Sequence, residues 1–200
     1  RLILGLLVHA KNKILLKGDK SLSKRDFLRV TKPLKNFGAY FKTKSGKLPI
    51  TIKGTNFPKP IKYIEKIGSA QCKSSVMLAA LNTKGSTIIK AKKSRNHTEL
   101  IFKYLNIPIK VSRKKNYDFI EIDGPVNFRA FDYKIPGDIS SSSFFLVLTL
   151  LTNKSKLLIK NVNVNKSRTG IIEILNKMNA KILLKNKKTH NGEEVADIFV

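Results

Sequence analysis

Residues 69–73 bring together side-chain types that can bind an anion. Ser69 precedes an apolar helical run and is a favourable N-cap, because its hydroxyl can accept a hydrogen bond from a free N–H of the first turn. The other free N–H groups and the positive end of the helix dipole attract phosphates and carboxylates. Gln71 and Lys73 are then either solvated residues after an ordinary cap, which is the commoner case, or part of an anion site on a buried helix.

Three other polar loops also lead into apolar helical patterns. They cover residues 18–26, 94–98 and 137–143. In the second loop, Asn96 or Thr98 is the candidate N-cap. From the residues alone, Arg25 and Arg95 are interpreted as solvated cations at helix entries. If several of these helix N-termini converge, their backbone N–H groups form an anion site without any special side chain.

The elements that carry these loops recur along the chain. Residues that end a second helix recur at spacings of 68 and 73, at Gly38, Asn106 and Asn179. The apolar helices before them recur at spacings of 67 and 71. Each repeat reads helix, strand, helix, strand, strand, with one strand leading in, and residues 128–135 are the lead-in strand of the third repeat. The pattern predicts an α/β protein of repeated β-α-β-α-β-β units whose sheets pack on helices.

Composition limits the class of protein. The formal net charge of +27 points to an anionic partner, but only seven of the 40 basic residues are arginine and the lysines are dispersed. A nucleic-acid surface more often clusters arginine with aromatic residues, so no nucleic-acid partner is predicted. One cysteine excludes a disulfide framework, and three histidines without ligand spacing predict no metal site. The longest apolar run, residues 144–151, is too short to cross a bilayer.

Six short patterns occur in order along the chain. They are GDxSLSKR at 18–25, SAQxKS at 69–74, SRNHTE at 94–99, PGDxSS at 136–141, NxxRTG at 165–170 and GEEVAD at 192–197. Together they resemble the 5-enolpyruvylshikimate-3-phosphate (EPSP) synthase family. The resemblance implies two domains of three β-α-β-α-β-β units each, arranged as an inside-out α/β barrel. Residues 1–136 would be most of the N-terminal domain and residues 137–200 the first unit of the C-terminal domain, so both would be incomplete.

The resemblance also implies an activity. Members of this family transfer enolpyruvyl from phosphoenolpyruvate to a ring hydroxyl of shikimate 3-phosphate, through a tetrahedral intermediate that loses phosphate, in aromatic amino acid biosynthesis. By resemblance, the protein is a cytoplasmic monomer without cofactor or metal. Its partners are these two small anions, with no nucleic acid and no membrane. The family's proton-transfer residues have no counterpart here, so no catalytic residue is assigned and the isolated chain is expected to be inactive.

Substrate-binding residues follow from the resemblance one by one. Shikimate 3-phosphate would be held by four residues. Ser69, the backbone at Ala70 and Arg95 would contact its phosphate, and Gln71 would contact its ring. Phosphoenolpyruvate would be held by Arg25 and Gln71. Arg1 matches the arginine that closes a glycine-rich family motif, whose earlier residues are absent.

Four nearby residues receive structural interpretations. Asp26 stands where many family members have proline, so we expect a looser loop beside Arg25. Asp138 is expected to cap the first helix of the second domain. His97 is interpreted as structural, and Cys72 as a small packing residue.

Three alternatives remain open. The related UDP-N-acetylglucosamine enolpyruvyl transferase shares the fold but usually carries a reactive cysteine on a loop, whereas Cys72 falls inside a predicted helix. A basic nucleic-acid-binding module would account for the net charge alone, and a salt-dependent DNA affinity lost together with Arg25 and Arg95 would favour it. A truncated relic without activity would keep the patterns only as scaffold.

Overall fold

The computed structural model describes residues 1–200 and shows a mixed α/β protein. Seven α-helices, one short 3₁₀ helix and ten strands form, and the strands make three separate open sheets. Contacts divide the chain into two compact units. Unit 1 comprises Arg1–Ser94 and Asn106–Phe128, and unit 2 comprises Arg95–Leu105 and Arg129–Val200. The boundary after residue 136, and the barrel arrangement of complete domains, stay predictions.

The predicted repeat is visible in the order of elements. The first repeat contains α1 (Ile3–Leu6), the 3₁₀ helix (Leu7–His9), β1 (Ile14–Leu16), α2 (Lys20–Ser23), α3 (Leu28–Lys35), β2 (Tyr40–Lys44) and β3 (Lys47–Lys53). The second contains β4 (Lys62–Glu65), α4 (Ala70–Ala80), β5 (Gly85–Lys92), α5 (His97–Tyr104), β6 (Ile109–Arg113) and β7 (Tyr117–Gly124). The third contains α6 (Ile139–Leu151), β8 (Leu158–Asn163), α7 (Gly170–Lys177), β9 (Leu183–His190) and β10 (Glu193–Phe199).

All three sheets share one topology, which confirms the repeat. In each sheet the last strand of the repeat lies in the middle and pairs antiparallel with both neighbours, in the orders β1-β3-β2, β5-β7-β6 and β8-β10-β9. The second sheet carries the lead-in strand β4 as well, parallel to β5. The same chain path has therefore been used three times with the same strand order.

The predicted lead-in strand at residues 128–135 is wrong. That segment has no strand, and only Gly137, beyond its end, forms a parallel bridge to Val162. Gly137 donates its N–H to the Asn161 carbonyl at 2.7 Å and accepts from the Asn163 N–H at 2.9 Å. Residues 128–135 form no ladder with β8, the strand to which Gly137 bridges, so no sheet satisfies their backbone groups, and Ile135 is 83% exposed.

The predicted helix ends have the backbone conformation that ends a helix. Gly38, Asn106 and Asn179 have φ angles of 105°, 54° and 63°. These values lie in or near the left-handed region, which only glycine and asparagine adopt readily. The turn at Ser45 and Gly46 also has positive φ at both residues and closes the hairpin of β2 and β3.

Helix α4 lies at the centre of unit 1. Val76 and Met77 are fully buried, and the helix packs on α1, α3 and the inner faces of β5 and β7. A Cβ built on Gly5 of α1 would lie 2.0 Å from the Ser75 carbonyl oxygen of α4, so the two helices touch backbone to backbone. The core thereby fixes the axis of α4 and the place where its N-terminus emerges.

Unit 2 has a separate core. It consists of apolar residues from α6, α7, β8, β10 and the loop after β8: Ile139, Leu146, Val162, Val164, Ile172, Ala196 and Ile198. None of the helices in the protein has both the length and the apolar character needed to cross a membrane.

Candidate anion-binding site

A buried carboxylate shapes the turn that leads into α4. Glu65, at the end of β4, is 3% exposed and accepts hydrogen bonds from the N–H groups of Ile67 at 3.1 Å and Gly68 at 2.6 Å. Gly68 has a φ of 79°, a conformation that other residues rarely adopt. The turn delivers Ser69 to the start of the helix. Glu65 was missed from the sequence, because nothing local separates it from a solvated acid at a strand end.

Ser69 caps α4, as predicted. Its hydroxyl accepts from the Cys72 N–H at 3.3 Å. The first N–H groups of an α-helix have no carbonyl partner within the helix, so those of Ala70 and Gln71 are available to a ligand at this end. The Gln71 side chain is exposed. The helix N-terminus therefore offers N–H donors and a positive dipole at the protein surface.

Arg1 links the start of α4 to the polar loop of residues 18–26. One terminal nitrogen of its guanidinium donates to Gln71 Oε1 at 3.0 Å, and the other donates to the Asp26 carbonyl at 2.9 Å. The guanidinium also lies 5.4 Å from the centre of the Phe27 ring, within the range of a cation–π contact. Because arginine has only donors, the Gln71 atom that faces it is the amide oxygen, and the amide N–H₂ group is left for another acceptor.

The loop that carries Arg25 is held by hydrogen bonds at Asp26 and Phe27, and the expectation that Asp26 makes it looser than proline would stays a prediction. The Asp26 carboxylate accepts from the Leu28 N–H at 2.8 Å and closes the first turn of α3. Its carbonyl is held by Arg1. The next residue, Phe27, is buried, and its N–H donates to the Gly46 carbonyl at 2.8 Å. Arg25 itself is exposed on this loop.

Two other residues of α4 are buried. Lys73 has no exposed surface, so its interpretation as a surface cation is wrong. Cys72 is buried with a free thiol, in agreement with a packing role. A cysteine inside a buried helix is not placed like a reactive cysteine on a loop.

The remaining predicted residues lie in unit 2. Arg95 is exposed and precedes α5. Asp138 caps α6 as predicted, accepting from the N–H groups of Ser140 and Ser141, each at 3.3 Å, and it pairs with Arg168 at 2.5 Å. Desolvation opposes ionisation of Asp138, but these hydrogen bonds and the Arg168 charge outweigh it, so the pKa of Asp138 is lowered. The structure thus joins Arg1, Gln71 and the Arg25 loop within unit 1, and Arg95 belongs to unit 2.

Known proteins share the fold and the sequence patterns of this chain. The whole fold resembles the enolpyruvyl transferase NikO from Streptomyces tendae, with a TM-score of 0.65 over 98% of this chain and 45% of that one, at 12% identity. The protein therefore has the enolpyruvyl transferase fold. The sequence profile of EPSP synthase (3-phosphoshikimate 1-carboxyvinyltransferase) matches residues 1–198. The chain belongs to the EPSP synthase family.

Individual relatives are similar over the full chain. It is 42% identical to the 3-phosphoshikimate 1-carboxyvinyltransferase of Caldicellulosiruptor bescii and 41% identical to that of Petrotoga mobilis, over 99% and 100% of its length. The structure of EPSP synthase from Acinetobacter baumannii superimposes with a TM-score of 0.84 at 34% identity, covering 100% of this chain and 44% of that one. The chain spans 46% of the two named sequence relatives, which is less than half their length. The family match favours the resemblance to EPSP synthase over a UDP-sugar transferase or a nucleic-acid-binding module.

Proposed function

We propose that the protein to which this chain belongs transfers the enolpyruvyl group of phosphoenolpyruvate to shikimate 3-phosphate, giving 5-enolpyruvylshikimate 3-phosphate and phosphate. The observation that carries this proposal is the arrangement at the start of α4. There the Arg1 guanidinium donates hydrogen bonds to the side-chain oxygen of Gln71 and to the carbonyl of Asp26, on the loop that carries Arg25. The arrangement collects N–H donors and positive charge beside a helix N-terminus, which suits multiply anionic substrates.

Each substrate-binding residue has a role that its geometry permits. The Ser69 hydroxyl and the Ala70 N–H bind the phosphate of shikimate 3-phosphate, and Arg95 supplies a further phosphate contact. Gln71 contacts the ring and, through the amide N–H₂ group that Arg1 leaves available, also binds phosphoenolpyruvate. Arg25 neutralises phosphoenolpyruvate from its exposed position on the loop.

The chemistry requires more than these binding groups. The ring hydroxyl adds to phosphoenolpyruvate, a tetrahedral intermediate forms, and phosphate leaves from it. Proton transfer in both steps needs acid and base groups that we assign to no residue of this chain. The chain therefore holds and orients the two anions, and by itself it is inactive. The proposed enzyme is a cytoplasmic monomer that uses no cofactor.

Phosphate release by the completed reading frame tests the proposal. The enzyme is supplied with both substrates, and reactions that omit either substrate serve as blanks. Release that needs both substrates and is lost in Gln71→Ala supports the function. The matched control is Lys84→Ala, an exposed position after the other end of α4, which is expected to keep full activity. Absence of release by a folded, full-length protein would mean that the patterns persist only as scaffold.

A further inference from the structure

A second buried carboxylate lies in unit 2, outside the residues assigned to substrate. Glu193, the first residue of β10, is 3% exposed and accepts three hydrogen bonds. The donors are His97 Nδ1 at 2.5 Å and the side-chain amides of Asn163 and Asn165, each at 3.1 Å. Desolvation opposes ionisation, but these three donors outweigh it and lower the pKa of Glu193. A carboxylate only accepts, so His97 Nδ1 carries a proton and the histidine is fixed by its bond to Glu193.

The residue before His97 takes part in the same network. Asn96 occupies the N-cap position of α5, as predicted for Asn96 or Thr98, but its side chain makes no capping hydrogen bond. Its side-chain oxygen instead accepts from the Asn165 amide at 2.9 Å. That amide also binds Glu193, so the carboxylate reaches Asn96 through one intermediate residue. Both residues that follow Arg95 are therefore held by a network centred on Glu193.

Close packing holds the other side of α5. Gly192 has a φ of 81°, and a Cβ there would lie 3.0 Å from the Leu100 carbonyl oxygen and 3.2 Å from Tyr104 Cβ. The turn between β9 and β10 thus touches the body of α5, while Glu193 binds its first residues. The start of the helix is therefore held by residues 69 and 96 positions away in sequence.

We propose that Glu193 is a positioning residue for Arg95. It holds His97 directly and Asn96 through Asn165, and so fixes the backbone from which the Arg95 side chain extends. Arginine binds a phosphate with a planar fork of donors, and that fork is effective only when its backbone is placed correctly. This inference rests on the proposed role of Arg95 in binding the phosphate of shikimate 3-phosphate. Nothing in it gives Glu193 contact with a substrate.

A purely structural role for Glu193 makes a different prediction. A stabilising residue changes the fraction of folded enzyme, and hence the amount of active protein, without selecting one substrate. A positioning residue changes the KM for shikimate 3-phosphate and leaves kcat and the KM for phosphoenolpyruvate nearly unchanged. Its effect also disappears when Arg95 is already absent, because coupled residues are not additive.

Steady-state kinetics of the completed reading frame separates these roles. In Glu193→Gln, an N–H₂ group replaces one acceptor oxygen and faces a hydrogen-bond donor. We therefore expect the KM for shikimate 3-phosphate to rise about tenfold, which corresponds to the lower end of the cost of losing a hydrogen bond to a charged group. The matched control is Asp197→Asn on the same strand. Asp197 also accepts two hydrogen bonds, from the Asn161 N–H and the Asn186 amide, but none from α5. The KM of the Asp197→Asn enzyme for shikimate 3-phosphate is expected to stay within about twofold of wild type.

A double-mutant cycle and a histidine pair complete the test. Glu193→Gln made in Arg95→Ala is expected to raise KM less than about twofold further. His97→Asn keeps an N–H donor near the Nδ1 position and is expected to retain the KM, whereas His97→Ala is expected to raise it as Glu193→Gln does. Equal increases with and without Arg95 would overturn the positioning role while the activity stands. An unchanged KM in Arg95→Ala would instead refute the phosphate contact, and no turnover by folded wild type would refute the proposed function itself.

Discussion

Replacing Gln71 with glutamate tests the site with the least change in shape. The carboxylate keeps the oxygen that accepts from Arg1 and replaces the amide N–H₂ group with a second oxygen. An exposed ion pair with Arg1 contributes about 0.2–1 kcal/mol, and a negative charge in the first turn of a helix is also favourable. We therefore expect Gln71→Glu to unfold at the same temperature as wild type or slightly higher.

The same substitution removes a donor and adds a charge where two anions are proposed to bind. Losing a hydrogen bond to a charged group costs about 1.5–3 kcal/mol. Two like charges about 4 Å apart repel by about 1 kcal/mol in water and about 4 kcal/mol at a typical protein surface, and the exposure of Gln71 favours the smaller value. The sum, about 2.5–4 kcal/mol, predicts a loss of about 10²–10³-fold in kcat/KM for phosphoenolpyruvate.

Two measurements on one preparation decide the outcome. Thermal unfolding reports the folded state, and phosphate release at several salt concentrations reports kcat/KM. Because the repulsive part is electrostatic, added salt is expected to recover part of the loss. A Gln71→Glu enzyme that keeps kcat/KM within threefold of wild type, with its unfolding temperature also unchanged, would refute the placement of the Gln71 amide at the anions.

Three further outcomes concern stability of the chain. Gly5→Ala is expected to lower the free energy of unfolding in urea by about 1–3 kcal/mol, because its Cβ would overlap the Ser75 carbonyl, whereas Gly170→Ala, with no atom within 4 Å, is expected to lose nothing. Asn179→Gly is expected to gain up to about 1 kcal/mol in the same assay, since glycine accepts the φ of 63° without strain. Glu193 has a lowered pKa in the folded state, so its contribution is complete above its ordinary pKa of 4.5 and is lost as pH falls through the folded value. Urea midpoints measured against pH should therefore fall more steeply with acid in wild type than in Glu193→Gln, and equal slopes would contradict this.

Local backbone chemistry made much of the fold predictable. Glycine and asparagine at Gly38 and Asn179 signal positive φ by residue type alone, and Ser69 and Asp138 signal caps in the same way. These signals depend only on a residue and its immediate neighbours. They were sufficient for the repeat, and the order of six patterns was sufficient for the family.

Predictions failed or fell short where a residue's role depends on a distant partner. Residues 128–135 are predicted as a strand, but they form no ladder with the edge strand β8, to which only Gly137 bridges. Asn96 has a good capping side chain, yet Asn165, 69 positions later, engages it. Lys73 follows a polar helix start and is nevertheless fully buried.

The sequence by itself determined the repeated α/β units, the caps of the helices, the family and the residue types that can bind an anion. Only the tertiary structure decided how those residues are held. Arg1 meets Gln71 across 70 positions, and Glu193 meets His97 across 96. Such contacts depend on packing of the cores that set α4 and α5 in place, because a hydrogen bond requires two atoms within about 3 Å and no local pattern encodes that distance.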